Sequence, residues 1–163
     1  MWIKKFTDVN MMKKDIEIRT MKIEDYTEVM ALWKSIKVFR IRAVDDDFEH
    51  IKRFLDRNVG LSVVAVKNNQ IVGTILSGHD GRQASFYHVC VDSKCRGENI
   101  AAKMVKEAIE RVNAEGISKI TLIAFKQNLA GNIFWKSQNW KQNKDINSYE
   151  LVLNEENISS IVA

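Results

Sequence analysis

Arg96-Gly97-Glu98-Asn99-Ile100-Ala101 sets a cation and a glycine immediately before a segment of helical apolar spacing. A basic bend there suits an anion, because the first turn of a helix offers unpaired N–H groups and a partial positive charge. The run before it, Phe86-Tyr87-His88-Val89-Cys90-Val91, has strand character and carries two groups able to move a proton. His88 reads either as a general base or as a hydrogen-bonded core histidine. Tyr87 reads either as an acid or water-holder, or as an aromatic packed for its bulk. In a regular strand Ser85 and Tyr87 share a face with Val89 and Val91, and His88 turns to the other side. A bulge would reverse that for part of the strand. Asp45, Asp46, Asp47 and Asp80 could attract a cation, although the triplet also reads as a helix cap. Cys90 and Cys95 have no His or Cys partner at metal spacing, so they read as structural thiols and no metal is expected.

The elements that position these residues follow from periodicity. Ile100, Ala101, Met104, Val105, Ala108, Ile109 and Val112 recur at helical spacing, which predicts a helix over 98–115 with one inward stripe. Gly116 then ends it in the left-handed conformation that glycine adopts freely. Ile117 to Phe125 reads as a strand buried on both faces, so strand, helix and strand form a right-handed βαβ unit. Earlier in the chain, 15–20 alternates as a half-buried strand. A helix over 24–37 presents Tyr26, Val29, Met30, Trp33 and Ile36. The Asp45–Asp47 triplet opens a second helix that buries Phe48, Ile51, Phe54 and Leu55. Runs 61–66 and 71–76 flank Asn68-Asn69, a tight hairpin pair, and Asp80-Gly81 marks the next turn. A short helix over 128–137 and a hairpin of Trp140 with 146–153 complete the pattern.

The chain has 163 residues, 45% of them apolar and 28% charged, which fits one soluble globular domain. Its net charge of +4 is mild and dispersed, so no nucleic-acid partner is expected. No apolar run reaches the roughly 18 residues of a membrane span. Met1-Trp2-Ile3-Lys4-Lys5 is followed by no apolar h-region, so no signal peptide is expected, and a cytoplasmic location is. Met11-Met12 reads as a second start site. Residues 1–14 are therefore expected to be a flexible extension, 15–153 the domain and 154–163 a tail.

The element order, with Val91-Asp92-Ser93-Lys94-Cys95-Arg96-Gly97-Glu98-Asn99-Ile100-Ala101, resembles the GNAT family of acetyl-CoA-dependent N-acetyltransferases over about Asp15 to Leu153. That family's loop is Arg/Gln-x-x-Gly-x-Gly/Ala, matched here by Arg96 to Ala101. Asn128, Gly131-Asn132, Phe134-Trp135 and Trp140 resemble its second motif. Arg57-Asn58, Gly60-Leu61-Ser62, Gly73-Thr74-Ile75, Gly78-His79-Asp80-Gly81-Arg82 and Tyr87-His88 look like the small bacterial YpeA-type members.

The resemblance implies a mixed α/β fold: a mostly antiparallel central sheet, a βαβ acetyl-CoA-binding core and helices on both faces. It implies acetyl-CoA as donor and an amine as acceptor, in a monomer or homodimer. Backbone N–H groups of Arg96, Gly97, Glu98, Asn99, Ile100 and Ala101 would hold the CoA pyrophosphate. Val89 and Val91 would pair with the pantetheine arm, and an N–H near Val89 or Cys90 would polarise the thioester. Asn128 would touch the arm; Arg82, Lys94 and Lys103 could neutralise phosphate charge. The first two helices and the last hairpin would shape the acceptor pocket.

Four positions run against the family pattern. Asn99 stands where glycine is usual: it either adopts a left-handed backbone or intrudes on the phosphates. Glu98 places a negative charge beside the same loop. Trp135 replaces a tyrosine that protonates the leaving thiolate, and Asn139 replaces a glycine. These departures keep open a non-catalytic GNAT-like module that binds acyl-CoA. A nucleotide-binding α/β protein could use the same helix end, but the antiparallel meander argues against it.

Overall fold

The computed structural model describes residues 15–163, so the expected 1–14 extension lies outside the described residues. In chain order the elements are β1 (Glu17–Thr20), α1 (Tyr26–Ser35), β2 (Phe39–Arg42), α2 (Phe48–Arg57), β3 (Val63–Lys67), β4 (Gln70–His79), β5 (Ala84–Val91), α3 (Ile100–Ala114), β6 (Ile120–Leu122), α4 (Leu129–Ser137) and β7 (Ser159–Val162). A five-stranded sheet runs β1-β3-β4-β5-β6, and β2 pairs with β7 separately. The first four strands are antiparallel to their neighbours, whereas β5 and β6 run parallel across α3. This is the mixed, mostly antiparallel sheet with a βαβ unit that the pattern predicted.

Local chemistry explains the connections. Asn68 and Asn69 both take positive φ, 54° and 60°, and Lys67 faces Gln70, which makes the two-residue hairpin turn. Asp80 accepts the N–H groups of Arg82 and Gln83 at 2.8 and 2.9 Å, closing the β4–β5 turn around a left-handed Gly81. Side-chain alternation then divides the core between the two faces of the sheet. Val63, Ala65, Val72, Ile75 and Phe86 pack with Ile100, Met104, Val105, Ala108 and Val112 of α3. Val64, Ile71, Leu76 and Cys90 pack with Val29, Leu32 and Trp33 of α1 and Ile51 of α2. Helices therefore cover both faces.

Several local expectations change. The hairpin of Trp140 with 146–153 does not form; residues 140–158 contain no strand. Tyr149, Leu151 and Leu153 alternate as a strand should, yet they are exposed, while Glu150 between them anchors on Arg42 at 2.5 Å. Alternation makes a strand only where a sheet edge lies in reach. The strand instead forms at Ser159–Val162, inside the segment set apart as a tail, and pairs with the unforeseen β2. Of the strand expected over 117–125 only Ile120–Leu122 forms, and Ile123 is 86% exposed; among the described residues no further strand covers that edge. Ile109 and Phe48, assigned to inward stripes, are only partly covered, at 37% and 45% exposure.

Candidate active site

After β5 the chain turns through Ser93–Cys95 into the bend that opens α3. Gly97 and Asn99 both take left-handed φ, 80° and 62°. Asn99 thus meets the backbone requirement of a glycine position, the first of its two alternatives, and asparagine is among the non-glycine residues that tolerate it best. Among the described residues no acceptor takes the N–H groups of Arg96, Gly97, Glu98 or Asn99. The first-turn N–H groups of α3 add to them. The charge of Glu98 is drawn sideways: Lys67 Nζ lies 2.6 and 2.7 Å from its two carboxylate oxygens. Lys94 and Lys103 flank the bend as exposed cations, but Arg82 sits in the β4–β5 turn at the opposite end of β5 and cannot serve it.

β5 is irregular where the chemistry was expected. Thr74 faces Cys90 and Leu76 faces Tyr87, so Ile75 alone opposes both His88 and Val89. His88 takes φ 49°, a left-handed backbone that costs a non-glycine residue about 1–2 kcal/mol. The bulge reassigns the faces. Val89 and Val91 join Phe86 on the α3 side, whereas Tyr87, His88 and Cys90 face α1 and α2. Tyr87 therefore shares its face with His88, not with Val89 and Val91 as regular alternation predicts. On the other edge, β6 pairs only with Ala84, Ser85 and Phe86. From Tyr87 to Val91 that edge is open, and it leads to the bend.

The strained residue is held at both ends. Thr74 Oγ1 donates to the His88 carbonyl at 2.7 Å and accepts from Trp33 Nε1 at 2.9 Å. The imidazole lies 4.4 Å from the Trp33 ring and 4.9 Å from Phe39, and its Nε2 meets Asp46 Oδ1 at 2.6 Å. Of the acidic triplet, Asp47 caps α2 by accepting the His50 N–H at 2.8 Å, which holds its carboxyl below the usual range. Asp46 is instead buried and paired. Sequence reasoning missed this pair, which spans 42 positions. The visible sign was Thr74, a hydroxyl set among the apolar residues of β4.

Asn128 caps α4, accepting the Gly131 N–H at 2.9 Å. A Cβ on Gly131 would fall 2.6 Å from Asn128 Nδ2, so glycine is what lets that side chain lie across the turn. Trp135 packs edge-on to Trp140 at 4.9 Å, and Trp140 N donates to Trp135 O while Asn139 N donates to Lys136 O. With Asn139 at φ 64° this is a Schellman end, which answers the missing glycine there. Trp135 is thus committed to packing and offers no acid.

The residues present suit a pyrophosphate: free N–H groups, open space at Gly97 and a countered Glu98. The family described as acetyltransferase (GNAT) matches residues 24–140. The chain belongs to that family. Solved GNAT folds align over most of it. An aminoglycoside acetyltransferase from an uncultured soil metagenomic sample, in complex with sisomicin, is 19% identical with a TM-score of 0.68, covering 85% of this chain and 97% of that one. A GNAT-family acetyltransferase from Staphylococcus aureus is 22% identical with a TM-score of 0.67, covering 76% and 81%. The PaiA N-acetyltransferase from Thermoplasma acidophilum, in complex with coenzyme A, is 17% identical with a TM-score of 0.66, covering 76% and 88%. At such identities the structures establish the fold. The family makes this GNAT chain an N-acetyltransferase, with acetyl transfer from acetyl-CoA as its reaction class.

The left-handed bend makes a direct prediction. Asn99→Ala is expected to lower stability by about 1 kcal/mol, and Asn99→Gly to equal or exceed the parent protein, in urea titrations. An alanine variant as stable as the parent would remove the left-handed assignment.

Proposed function

We propose that this GNAT enzyme transfers the acetyl group directly to a primary amine of a small molecule or peptide. The observation that carries the reading is the run of free N–H groups at the head of α3 joined to the open edge of β5. Acetyl-CoA, when bound, supplies the thioester. Arg96, Gly97, Glu98, Asn99, Ile100 and Ala101 hold its pyrophosphate through backbone N–H groups. The open edge at Val89 and Val91 would line up the pantetheine arm, and Asn128 would touch it. The N–H of Val89 or Cys90 polarises the thioester carbonyl. His88 accepts the proton released by the attacking amine, and Tyr87, exposed on the same face, returns one to the departing thiolate.

Direct transfer is favoured over an acyl-enzyme by the state of the thiols. Burial pushes Cys90 up to about 12, so it is protonated and enclosed at neutral pH. Cys95 is buried as well. Need for a base grows with acceptor basicity: deprotonating a lysine-type amine at pH 7 costs roughly 4.6 kcal/mol, and a peptide α-amine about 1 kcal/mol.

The test is calorimetry with acetyl-CoA, then thiol release across small amines and peptides, with intact-protein mass spectrometry after acetyl-CoA alone. Amine-dependent thiol release without an acetylated protein is expected. Binding without turnover on any amine would favour a non-catalytic acyl-CoA module, and a stable acetyl-protein would overturn direct transfer.

A further inference from the structure

We infer that Asp46 is a positioning residue: it holds His88 in the Nε2–H tautomer and leaves Nδ1 as the nitrogen that takes the proton. This rests on His88 being the base, and it adds which atom does the work and what fixes it.

An ionised carboxylate can only accept, so at 2.6 Å from Asp46 Oδ1 the His88 Nε2 must be the donor. The carboxylate is itself immobile. Its second oxygen accepts the Arg42 backbone N–H at 2.7 Å, its carbonyl accepts the Tyr26 hydroxyl at 2.9 Å, and the residue is 5% exposed. Two elements, β2 and α1, thereby anchor it in the turn into α2. Trp33 and Phe39 flank the imidazole, and Thr74 fixes the carbonyl of the same residue. The ring therefore has one orientation. Nδ1 has no partner among the described residues, and it is not among their orphaned buried atoms, which are Arg40 Nε and Ser77 Oγ. It is consequently open to a proton arriving from outside. A His88 with the opposite tautomer would aim a lone pair at a carboxylate and present a donor where an acceptor is needed.

Among the described residues Asp46 is the one charged group paired with the ring. Trp33 of α1, Phe39 of β2 and Thr74 of β4 are neutral, and the Cys90 thiol stays protonated. Tyr26 of α1 reaches the Asp46 carbonyl; the Arg42 guanidinium of β2 is engaged by Glu150, and Asp47 by His50.

Nitrogen-15 NMR of the folded wild-type protein tests the tautomer without a mutation. His88, assigned by the signal lost in His88→Asn, is expected to show an unprotonated Nδ1 and a protonated Nε2 in its neutral form. The reverse pattern, or an averaged pair of shifts, overturns the proposal. Kinetics test the role. Asp46→Asn should lower kcat by about 10- to 100-fold and leave the KM for acetyl-CoA within about twofold. Asp46→Glu should recover part of the loss. A folded Asp46→Asn enzyme with wild-type kcat, or an Asp46→Glu enzyme no better than Asp46→Asn, overturns the positioning role. If His88→Asn turns over at the wild-type rate, the base assignment itself fails, a result separable from the spectrum.

Discussion

Replacing His88 by asparagine is expected to lower kcat by about 10²- to 10⁴-fold while acetyl-CoA still binds. Asparagine is the informative choice because His88 sits at φ 49°, and it is a side chain that tolerates that backbone. Alanine would add the loss of the left-handed bulge to the loss of the imidazole. The bend at Arg96–Ala101 belongs to another part of the fold and should be untouched, so calorimetry with acetyl-CoA separates chemistry from binding. The defect should also depend on the acceptor. A lysine-type amine arrives almost fully protonated at pH 7 and a peptide α-amine far less so, so the loss should be greater for the former. Equal losses on both acceptors would mean that the imidazole organises the strand without moving a proton. Full activity on both would remove it from the mechanism.

The sequence made the donor side of this site more legible than the proton-handling side, for a physical reason. The anion bend is local: a basic residue, left-handed positions and a helix N-terminus occupy six consecutive residues, and the helical stripe from Ile100 to Val112 positions them. Hairpin turns at Asn68-Asn69 and Asp80-Gly81 were legible for the same reason, since the turn chemistry lies within the turn. The pair of His88 and Asp46 is not local. It needs a bulge that exists because Ile75 opposes two residues, and a turn placed by α1 and by β2. β2 itself left no clear trace, as Phe39-Arg40-Ile41-Arg42 is short and finds its partner only at Ser159–Val162. Conversely, 146–153 had the pattern of a strand and joined no edge. Periodicity reports what a segment can do; partners decide whether it does.

Trp33 carries the largest stability prediction. It is fully buried, packs on Phe39 and His88, and donates from Nε1 to Thr74. Trp33→Ala is expected to cost about 3–5 kcal/mol, a large share of the roughly 5–15 kcal/mol that holds a domain together. Trp33→Phe separates volume from hydrogen bonding: most of the ring remains, but the Thr74 hydroxyl loses its donor. Thr74→Val does the converse, leaving the indole N–H and the His88 carbonyl without a partner in a buried place, which costs about 1–3 kcal/mol. Combining the two should cost less than their sum, because the double variant no longer strands the indole N–H. A coupling of about 1 kcal/mol or more in urea titrations is expected. The same cycle read in kcat tests whether this relay supports the bulge. If stability couples and kcat does not, Thr74 and Trp33 hold the core alone. Coupling in both would tie the strained backbone of His88 to catalysis through one buried hydroxyl.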